Sequence, residues 1–537
     1  MNRKQRRAAE KSSAGDPVAQ TFAQALAHHQ AGAFAEAEAG YRRVLARRPD
    51  HTEAHYTLGL ALQMQGRLAE AIAFYQKVLV QRPRHVDTLA NMGIALKELG
   101  QLEEAAEACG RAVTLEPGVS RHLSNLSAVL LMQSKHAEAE ALLRQALAID
   151  PNHVWSVCNL VRALLQQDKF GEGMELARRA VALNPDFAVA QYNLAIALSG
   201  VGAIEESIQA LVRTLAIEPG LVDAHFLLAQ QLLLRGEFAA GWAEYEWRWK
   251  LKEYSWINEL PEVVAKPRWT GEDLRDKTIL VHFEQGLGDT LQFVRYIPML
   301  VARVRHVVLG VQPALKPLLG CIRGVTLVGM DQRLPPFDVT CPLLSLPGVF
   351  GTLPHTIPAS PGYVTADPAA VERWRNRLGE GGVRVGIAWQ GKPGVQVDRG
   401  RSIPLASFAP LARIPGVRLI SLQKNVGIDQ LAQLPPGMQV ETLGSDFDSG
   451  PGAFLDTAAV MMNLDLVVSS DTAVAHLAGA LGRHTWLALK AVPEWRWGQT
   501  TERSPWYPTM RLFRQTEAGD WATVFASMAN AFAALPT

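Results

Sequence analysis

Apolar and small side chains recur along the first half of the chain in a pattern that repeats every 34 residues. Six prolines mark the repeat, at positions 49, 83, 117, 151, 185 and 219. Within the unit from Thr52 to His85, two stretches have helical spacing, and Pro83 follows the second. The pattern therefore predicts two helices per unit. A first unit starts near Val18, and later ones start at Thr52, Val86, Ser120, Val154, Ala188 and, more weakly, Val222.

This period and the residues at the helix contacts resemble those of tetratricopeptide repeats. Leu58-Gly59 places a large residue before a small one on the first helix, and Ala71 lies where the second helix crosses it. The resemblance covers residues 18–255, as six units and a degenerate seventh that ends in an aromatic segment. It implies an all-α solenoid that binds other molecules.

The pattern changes after residue 265, where short apolar strands begin to alternate with helical stretches. Such alternation predicts parallel sheets, and a proline-rich break between two such sets predicts two Rossmann-like lobes with a ligand cleft between them. We expect a disordered basic tail (1–17), the repeats (18–255), a linker (256–277), a first lobe (278–375) and a second lobe with a closing helix (376–537). The predicted strands are Thr278–Phe283, His306–Val311, Val383–Trp389, Val417–Leu422, Leu464–Ser469 and Thr485–Leu489, and the predicted helices are Thr290–Val304, Val371–Leu378, Leu405–Ile414, Phe454–Asn463, Thr472–Leu481 and Trp521–Ala534.

Charge and composition narrow the classes of partner. With 53 basic and 52 acidic residues, the net charge of +1 gives no reason to expect a nucleic-acid partner. The four cysteines lack metal-like spacing, which is typical of a reducing compartment. The basic start is not followed by the apolar run of a signal peptide, and no stretch approaches the roughly 20 apolar residues of a transmembrane helix. We therefore expect a soluble, cytoplasmic protein.

Two loops in the second half carry candidate chemistry. The first is Glu284-Gln285-Gly286-Leu287-Gly288-Asp289-Thr290, where the first predicted strand turns into its helix. Its glycines permit a tight turn and close approach to a ligand, and Asp289 lies at the carboxyl end of the strand, where ligands bind in parallel sheets. Asp289 is either a helix cap or a functional carboxylate. The loop is not a dinucleotide fingerprint, because the third glycine is missing.

The second loop runs from Ser469 to His476, between a strand and the helix that ends at Leu481. Free N–H groups and the positive end of the helix dipole make such a helix start suitable for a diphosphate. Asp471 is either an N-cap or a ligand contact. His476 projects from the same helix face as Thr472, and it is either a ligand contact or a buried hydrogen-bonding residue.

Together, the two loops resemble the two motifs of glycosyltransferase family 9, which contains the lipopolysaccharide heptosyltransferases. The matching residues are Gly286-Leu287-Gly288-Asp289 with Arg295 and Pro298, and the stretch from Ser470 to Gly482. The match covers about residues 278 to 537. It implies a GT-B fold and an inverting, metal-independent transferase that uses a nucleotide-diphosphate sugar.

The resemblance also implies residue roles. Asp289 would be the general base, and Arg401, in the place of a more usual lysine, would neutralise the departing diphosphate. Lys392 or Arg399 would be able to share this role with Arg401. The donor would contact Gly288, Asp471, Thr472, Ala473, Val474 and His476, with Gln423 and Lys424 near its base or ribose. Ala473 stands where heptosyltransferases usually carry a glycine, and the first lobe is short for GT-B.

An asparagine recurs at the sixth position of four successive repeats, as Asn91, Asn125, Asn159 and Asn193. Carboxamides on a concave groove would bind an extended peptide backbone. The nucleocytoplasmic O-linked N-acetylglucosamine transferases carry a similar ladder and resemble this chain in architecture, with repeats fused to a GT-B transferase. Alternatively, each asparagine bonds a carbonyl of a neighbouring helix and holds the stack together.

The sequence thus predicts a glycosyltransferase without metal or other cofactor, which modifies a protein or glycan acceptor recruited by the repeats. Two alternatives remain: a non-catalytic repeat scaffold with an inactive transferase domain, and a lipopolysaccharide heptosyltransferase in which the repeats are incidental. The identity of the sugar, base and acceptor does not follow from the sequence.

Overall fold

The computed structural model describes residues 16–392 and 400–533 of the 537-residue chain. Most of the predicted basic tail, and Arg399, lie outside the described residues. The chain divides into two compact units, of which the first ends at Val201 and the second begins at Gly202.

The first unit is built from antiparallel helix pairs, as the 34-residue pattern predicts. The first helices of successive pairs start at Thr52, Val86, Ser120 and Val154, and the last helix of the unit starts at Ala188, all at the predicted positions. Within its described residues the helices are α1 Pro17–Gln30, α2 Phe34–Arg47, α3 Thr52–Met64, α4 Leu68–Gln81, α5 Val86–Glu98, α6 Leu102–Leu115, α7 Ser120–Met132, α8 His136–Ile149, α9 Val154–Leu165, α10 Phe170–Leu183 and α11 Ala188–Gly200.

Small residues let the two helices of a pair approach closely. A Cβ at Gly59 would lie 2.5 Å from the Tyr75 ring, and one at Gly93 would lie 2.3 Å from Sγ of Cys109. Real carbon atoms do not approach so closely, so α3 and α5 need glycine where they cross the second helix of their pairs. The large–small pattern in the sequence therefore has the packing role that it predicts.

Histidines begin three of these pairs in a way that the sequence analysis missed. The Nδ1 atoms of His51, His85 and His153 accept the backbone N–H three residues later, at 3.1, 3.3 and 3.3 Å. Each histidine thereby satisfies one of the amides left without a partner at a helix start.

The second unit begins with three more helices, α12 Ile204–Ile217, α13 Val222–Arg235 and α14 Phe238–Tyr245, followed by 3₁₀ turns over Glu246–Lys250 and Lys252–Glu259. The last of these pack on the α/β region. Trp242 Nε1 donates to the carbonyl of Thr352 at 3.1 Å, and the buried Arg248 pairs with Glu284 at 2.7 Å. The predicted boundary at 255 thus lies inside this compact unit, because the aromatic segment packs on the α/β region.

The α/β region contains two parallel sheets, which confirms the predicted class. The first sheet has the order β3-β2-β1-β4 and the second the order β6-β5-β7-β8-β9, and every neighbouring pair is parallel. The strands are β1 Leu274–His282, β2 Val304–Val311, β3 Val325–Gly329, β4 Val339–Pro342, β5 Val383–Ala388, β6 Val417–Ser421, β7 Leu466–Ser470, β8 Thr485–Leu489 and β9 Met510–Arg514. Strands β3, β4 and β9 were not predicted.

The helices of this region are mostly short. Where one helix was predicted over Thr290–Val304, the structure has two helices joined by a 3₁₀ turn, since Pro298 cannot donate a helical hydrogen bond. Pro410 similarly leaves a 3₁₀ turn and one helical turn within Leu405–Ile414. The helices are α15 Pro261–Val264, α16 Leu287–Phe293, α17 Ile297–Val301, α18 Lys316–Leu319, α19 Leu346–Val349, α20 Pro368–Leu378, α21 Ala409–Ala412, α22 Leu455–Met461, α23 Ala473–Ala480 and α24 Trp521–Ala533.

The core of the second sheet includes Trp389, Phe408, Phe525 and Met528, all almost fully buried, so α24, at the place of the predicted last helix, packs on one face of the sheet. No helix in the described part of the chain is both long and apolar enough to cross a bilayer.

Candidate functional site

The structure brings the two predicted loops into contact. The first loop follows β1 and enters α16, and the second follows β7 and enters α23. A Cβ at Gly288 would lie 2.9 Å from Cδ2 of His476 and 3.4 Å from Cα of Ala473. Glycine at 288 is therefore what allows the start of α16 to lie against the start of α23. The carboxyl end of a strand from each sheet leads to this contact. We call the contact, with the charged side chains of Asp289, Asp471, Glu494 and Arg496 around it, the crevice.

Asp289 lies in the first turn of α16, with its side chain 19% exposed. Its Oδ2 accepts the N–H of Gly286 at 2.9 Å, which is a capping bond. Its Oδ1 accepts a hydrogen bond from Nη2 of Arg496. Asp289 is thus both a cap and one partner of an ion pair that links two distant parts of the chain.

Arg496 was not singled out by the sequence analysis, although it is central to the crevice. Besides Asp289, its Nη1 donates to Oε1 of Glu494 and its Nε donates to Oε1 of Gln292 at 2.6 Å. Its guanidinium carbon lies 4.4 Å from the centre of the Trp495 ring. One sequence signal would have indicated that this segment belongs to the candidate site. It is the presence of two charged residues in Glu494-Trp495-Arg496-Trp497, soon after a predicted strand.

The two other carboxylates of the crevice have raised pKa values. Desolvation, with smaller contributions from Asp471 and Asp289, raises the pKa of Glu494 to about 7, although Arg496 acts in the opposite direction. Desolvation also raises the pKa of Asp471, against the effect of the nearby cations Arg401, Arg496 and Lys490. Two carboxyl groups whose pKa values are raised mainly by desolvation, within one group of charged side chains, are typical of functional sites.

The second loop presents the start of α23. Thr472 is its N-cap, with extended backbone and no side-chain cap bond, and Thr472, Ala473 and Val474 are all partly exposed. The first amides of a helix have no intrahelical partner, so they are available to an anion. The fully buried Oγ of Ser470, beside them, has no hydrogen-bond partner among the described residues.

His476 has the environment of a buried structural histidine. Its Nδ1 is 2.9 Å from the hydroxyl of Tyr507, and its ring stacks on Trp497 with centroids 5.4 Å apart. Burial holds the pKa of His476 well below its usual value, so the ring is neutral. These contacts match the alternative in which His476 bonds within the core; its contact with a donor stays a prediction.

Arg401 lies near enough to Asp471 to lower the pKa of that carboxyl, and Lys490 acts on it in the same way. The predicted cation therefore acts electrostatically on a carboxylate of the second loop. Lys392, the other described candidate for this role, is exposed.

Gln423 and Lys424 hold backbone segments together. Gln423 Oε1 accepts the N–H groups of Trp389 and Gln390 at 3.0 and 3.1 Å, and its Nε2 donates to the carbonyl of Gln390 at 2.8 Å. Lys424 Nζ donates to the carbonyl of Phe447 at 2.7 Å. Both residues order loops at the carboxyl ends of strands; a direct contact with a base or ribose stays a prediction.

The four asparagines of the first unit differ in their surroundings. Asn193 is 2% exposed, and its Nδ2 donates to the carbonyl of Cys158 on α9 at 3.1 Å. Asn91 is half-buried and donates to the Tyr56 hydroxyl at 3.0 Å, whereas Nδ2 of Asn125 has no partner among the described residues. Asn159 is 7% exposed. At Asn193, therefore, the geometry is that of the stack-holding alternative.

Within the described ranges, no group of three or more His, Cys, Asp or Glu side chains is arranged to hold a metal ion.

Comparison with known proteins identifies the class of the N-terminal region. Residues 22–85 and 91–154 match one tetratricopeptide-repeat model, and residues 130–195 match another. The N-terminal region therefore consists of tetratricopeptide repeats, as its periodicity predicts.

Among individual proteins, the chain is similar to Protein FlbA of Caulobacter vibrioides, with 28% identity over 330 residues. The match covers 57% of this chain and 54% of FlbA, so the chain spans about half the length of that relative. Similar solved structures include a tetratricopeptide repeat protein from Parabacteroides merdae (TM-score 0.40, 14% identity, 45% of this chain and 96% of that one) and pilF of Pseudomonas aeruginosa (TM-score 0.35, 20% identity, 40% and 96%).

Proposed function

We propose that the protein is an inverting, metal-independent glycosyltransferase that uses a nucleotide-diphosphate sugar, and that its repeats recruit a protein or glycan acceptor. The observation that carries this proposal is the contact between the two loops. A carboxylate, Asp289, and the start of a helix, α23, come from two different parallel sheets and lie in one crevice. A base and an anion site, side by side, are what sugar transfer from a diphosphate requires.

In the proposed reaction, the carboxylate of Asp289 takes the proton of an acceptor hydroxyl. The freed oxygen then attacks the anomeric carbon from the face opposite the diphosphate. A new C–O bond forms, the bond to the diphosphate breaks, and the nucleotide diphosphate leaves with the electron pair. Arg401 and the amides of Thr472, Ala473 and Val474 stabilise the charge on the leaving group. No step in this scheme requires a metal ion.

Two features support the finer assignment to a GT-B transferase of family 9. The parallel sheets place both resembling motifs at the ends of β1 and β7, and Arg401 is near Asp471, as a leaving-group cation should be. The crevice also retains several charged groups at low exposure, at a cost in desolvation that a purely binding scaffold has no need to bear. In this proposal the acceptor contacts Asn91 and Asn125, the two asparagines of the four that are only half-buried.

Binding of nucleotide diphosphates is the direct test. Thermal unfolding would be followed with ADP, GDP, UDP and CDP, for the natural protein, Arg401→Ala and the control Arg413→Ala, which removes an exposed arginine from the same lobe. One nucleotide should raise the unfolding temperature of the natural protein and the control, in the presence or absence of chelator. Arg401→Ala should bind it roughly tenfold to a hundredfold more weakly, since a charge-assisted hydrogen bond contributes about 1.5–3 kcal/mol.

A protein that responds to none of the four nucleotides would be a repeat scaffold and not a transferase. A response that disappears in chelator and returns with Mg²⁺ or Mn²⁺ would contradict the metal-independent mechanism. Sugar transfer to a lipopolysaccharide core, and not to a protein, would support the heptosyltransferase alternative.

A further inference from the structure

The crevice contains a second carboxylate that the proposed reaction leaves without a role. Glu494 follows β8, and its side chain is 31% exposed, more than Asp289 or Arg496. Its two oxygens accept from the same residue: Oε1 from Nη1 of Arg496, and Oε2 from the Arg496 backbone N–H at 2.9 Å. Glu494 is thus attached directly to the group that holds Asp289.

Arg496 distributes its hydrogen bonds among three side chains. Nη2 donates to Asp289, Nη1 to Glu494 and Nε to Gln292. Its side chain is 9% exposed, so water does little to screen these interactions. A single guanidinium cannot fully neutralise two ionised carboxylates. Any change in the charge of one carboxylate therefore alters how strongly Arg496 holds the other.

We propose that Glu494 is a positioning residue for this site: through Arg496, the charge of Glu494 sets how tightly the Asp289 carboxylate is held. This inference rests on the proposed function in one respect, the role of Asp289 as base. When Glu494 carries a proton, Arg496 binds mainly Asp289 and makes it a weaker base. When Glu494 is ionised, Arg496 is shared and Asp289 is a stronger base.

The surroundings of Glu494 place this change near neutral pH. Desolvation, together with the nearby Asp471 and Asp289, raises the pKa of Glu494 to about 7, although Arg496 acts in the opposite direction. Among the described residues, the other charged or titratable groups here include Tyr245 and Tyr507, which face Arg496, and Arg401 and Lys490, which face Asp471. His476, which is neutral, and Arg295 also lie close to this group of charges. Because the raised pKa belongs to a carboxyl, Glu494 is protonated below about pH 7 and ionised above it.

Fluorine NMR can follow this titration without any substrate. The protein would be labelled with 5-fluorotryptophan, and the Trp495 resonance assigned with Trp495→Phe, because the guanidinium of Arg496 lies 4.4 Å from that ring. The resonance should shift with a midpoint near pH 7 in the natural protein and in the control Glu502→Gln, whose side chain is 81% exposed. Glu494→Gln, which keeps an oxygen for Arg496, should abolish the shift.

The coupling to Asp289 is tested by Asp289→Asn. Loss of that charge should lower the midpoint of the Glu494 titration, since Asp289 raises the Glu494 pKa and competes for Arg496. An unchanged midpoint, or a midpoint that survives in Glu494→Gln, would overturn the proposal. Should Glu494→Gln fail to fold, the shift in midpoint with Asp289→Asn decides the question alone.

With a donor and an acceptor in hand, kcat supplies the second measurement. In the natural protein kcat should rise through pH 7, and in Glu494→Gln it should stay near the low-pH value while KM changes little. If the Glu494 titration depends on Asp289 but the protein binds no nucleotide, the proposed glycosyltransferase function is contradicted, and the coupling of the two carboxylates is not. An uncoupled titration in an active transferase would contradict the coupling alone.

Discussion

Charged groups are used differently in the two units of the molecule. In the first unit, ion pairs such as Arg82–Glu53 and Arg121–Asp87 lie at the surface, with side chains that are 54% and 48%, and 63% and 60%, exposed. In the second unit, Arg248 and Glu284 form a pair with both side chains 0% exposed, and Arg496 is 9% exposed. Surface pairs add little to stability, whereas buried pairs are costly to form and more costly to break.

The difference in the burial of ion pairs reflects the different roles of charge in a helical repeat and in a candidate functional site. The helix pairs of the first unit are held by apolar contacts and glycines, and their charges serve solvation. In the second unit, the buried charges converge on one loop. Arg248 holds Glu284, Arg496 holds Asp289, and these two acids lie five residues apart. We infer that the second unit retains buried charge in order to fix the position of this loop. Four experiments test this contrast.

Asp289→Asn should have the largest effect. Transfer should fall by a factor of roughly 10² to 10⁴, the contribution of a positioned general base, while nucleotide binding is retained. Initial rates at saturating donor would measure it. The matched control is Asp446→Asn, since Asp446 is an acid of the same unit in an ion pair with 66% exposure, and it should have no effect. Transfer close to the natural rate would leave Asp289 as a helix cap only.

Arg248→Met should destabilise the second unit by about 3–5 kcal/mol, because Glu284 would be left buried without its partner. Twelve of the thirteen tryptophans lie beyond residue 201, so tryptophan fluorescence during urea unfolding reports on this unit. In the first unit, Arg82→Met should cost no more than about 1 kcal/mol, measured by circular dichroism, since both side chains of its ion pair with Glu53 are exposed, at 54% and 48%. Equal losses would remove the contrast between the units.

Gly93→Ala should destabilise the first unit by about 1–3 kcal/mol, the range for overpacking, because the new Cβ would lie 2.3 Å from Sγ of Cys109. Gly110, on α6 of the same pair, has nothing within 4 Å of the position of a Cβ. Gly110→Ala should therefore be neutral or slightly stabilising, by up to about 1 kcal/mol. Thermal unfolding followed at the helical dichroism band compares the two; a neutral Gly93→Ala would mean that this crossing is loose.

The asparagines should show the smallest effects and distinguish two roles. Asn193→Ala should cost about 0.5–1.5 kcal/mol of stability, since it removes a buried hydrogen bond to the α9 backbone. Asn125→Ala should leave stability almost unchanged and weaken acceptor binding if the ladder binds an extended acceptor. Changing Asn91, Asn125, Asn159 and Asn193 together should weaken acceptor binding without affecting donor hydrolysis by water. Unchanged glycosylation at sub-saturating acceptor would make the ladder purely structural.

The sequence predicts the first unit almost residue by residue, because each helix pair contacts mainly its neighbours and the same contact recurs every 34 residues. Pro83 and Gly59, for example, mark a helix end and a crossing that the structure contains. In the second unit, the central strands follow from their apolar runs. Strand β4 does not, because it is only four residues long and lies in a proline-rich stretch.

The candidate site is predicted only in part, for a related reason. The loop residues Gly288, Asp289 and Asp471 stand out locally, because turns and helix starts have local signals. Arg496, by contrast, meets Asp289 across 207 residues of sequence, and no short motif records such a pairing. The hydrogen bonds of Gln423 to the backbone near Trp389 are long-range in the same way. Local sequence signals therefore identify candidate site residues, whereas the long-range contacts between these residues depend on the fold.

The contact between Arg248 and Glu284 also bears on how such a chain can be cut or recombined. A fragment that begins at residue 256, after the last repeat-like helix, would lack Arg248. Glu284, the first residue of the first loop, would then be buried without the partner of its ion pair. The same fragment would lack Tyr245, whose hydroxyl accepts from Gln285 at 3.2 Å. The seventh helix pair is therefore not an interchangeable repeat. A gene fusion that exchanges one array of repeats for another should join at Val201 and Gly202, where the compact units meet in sequence.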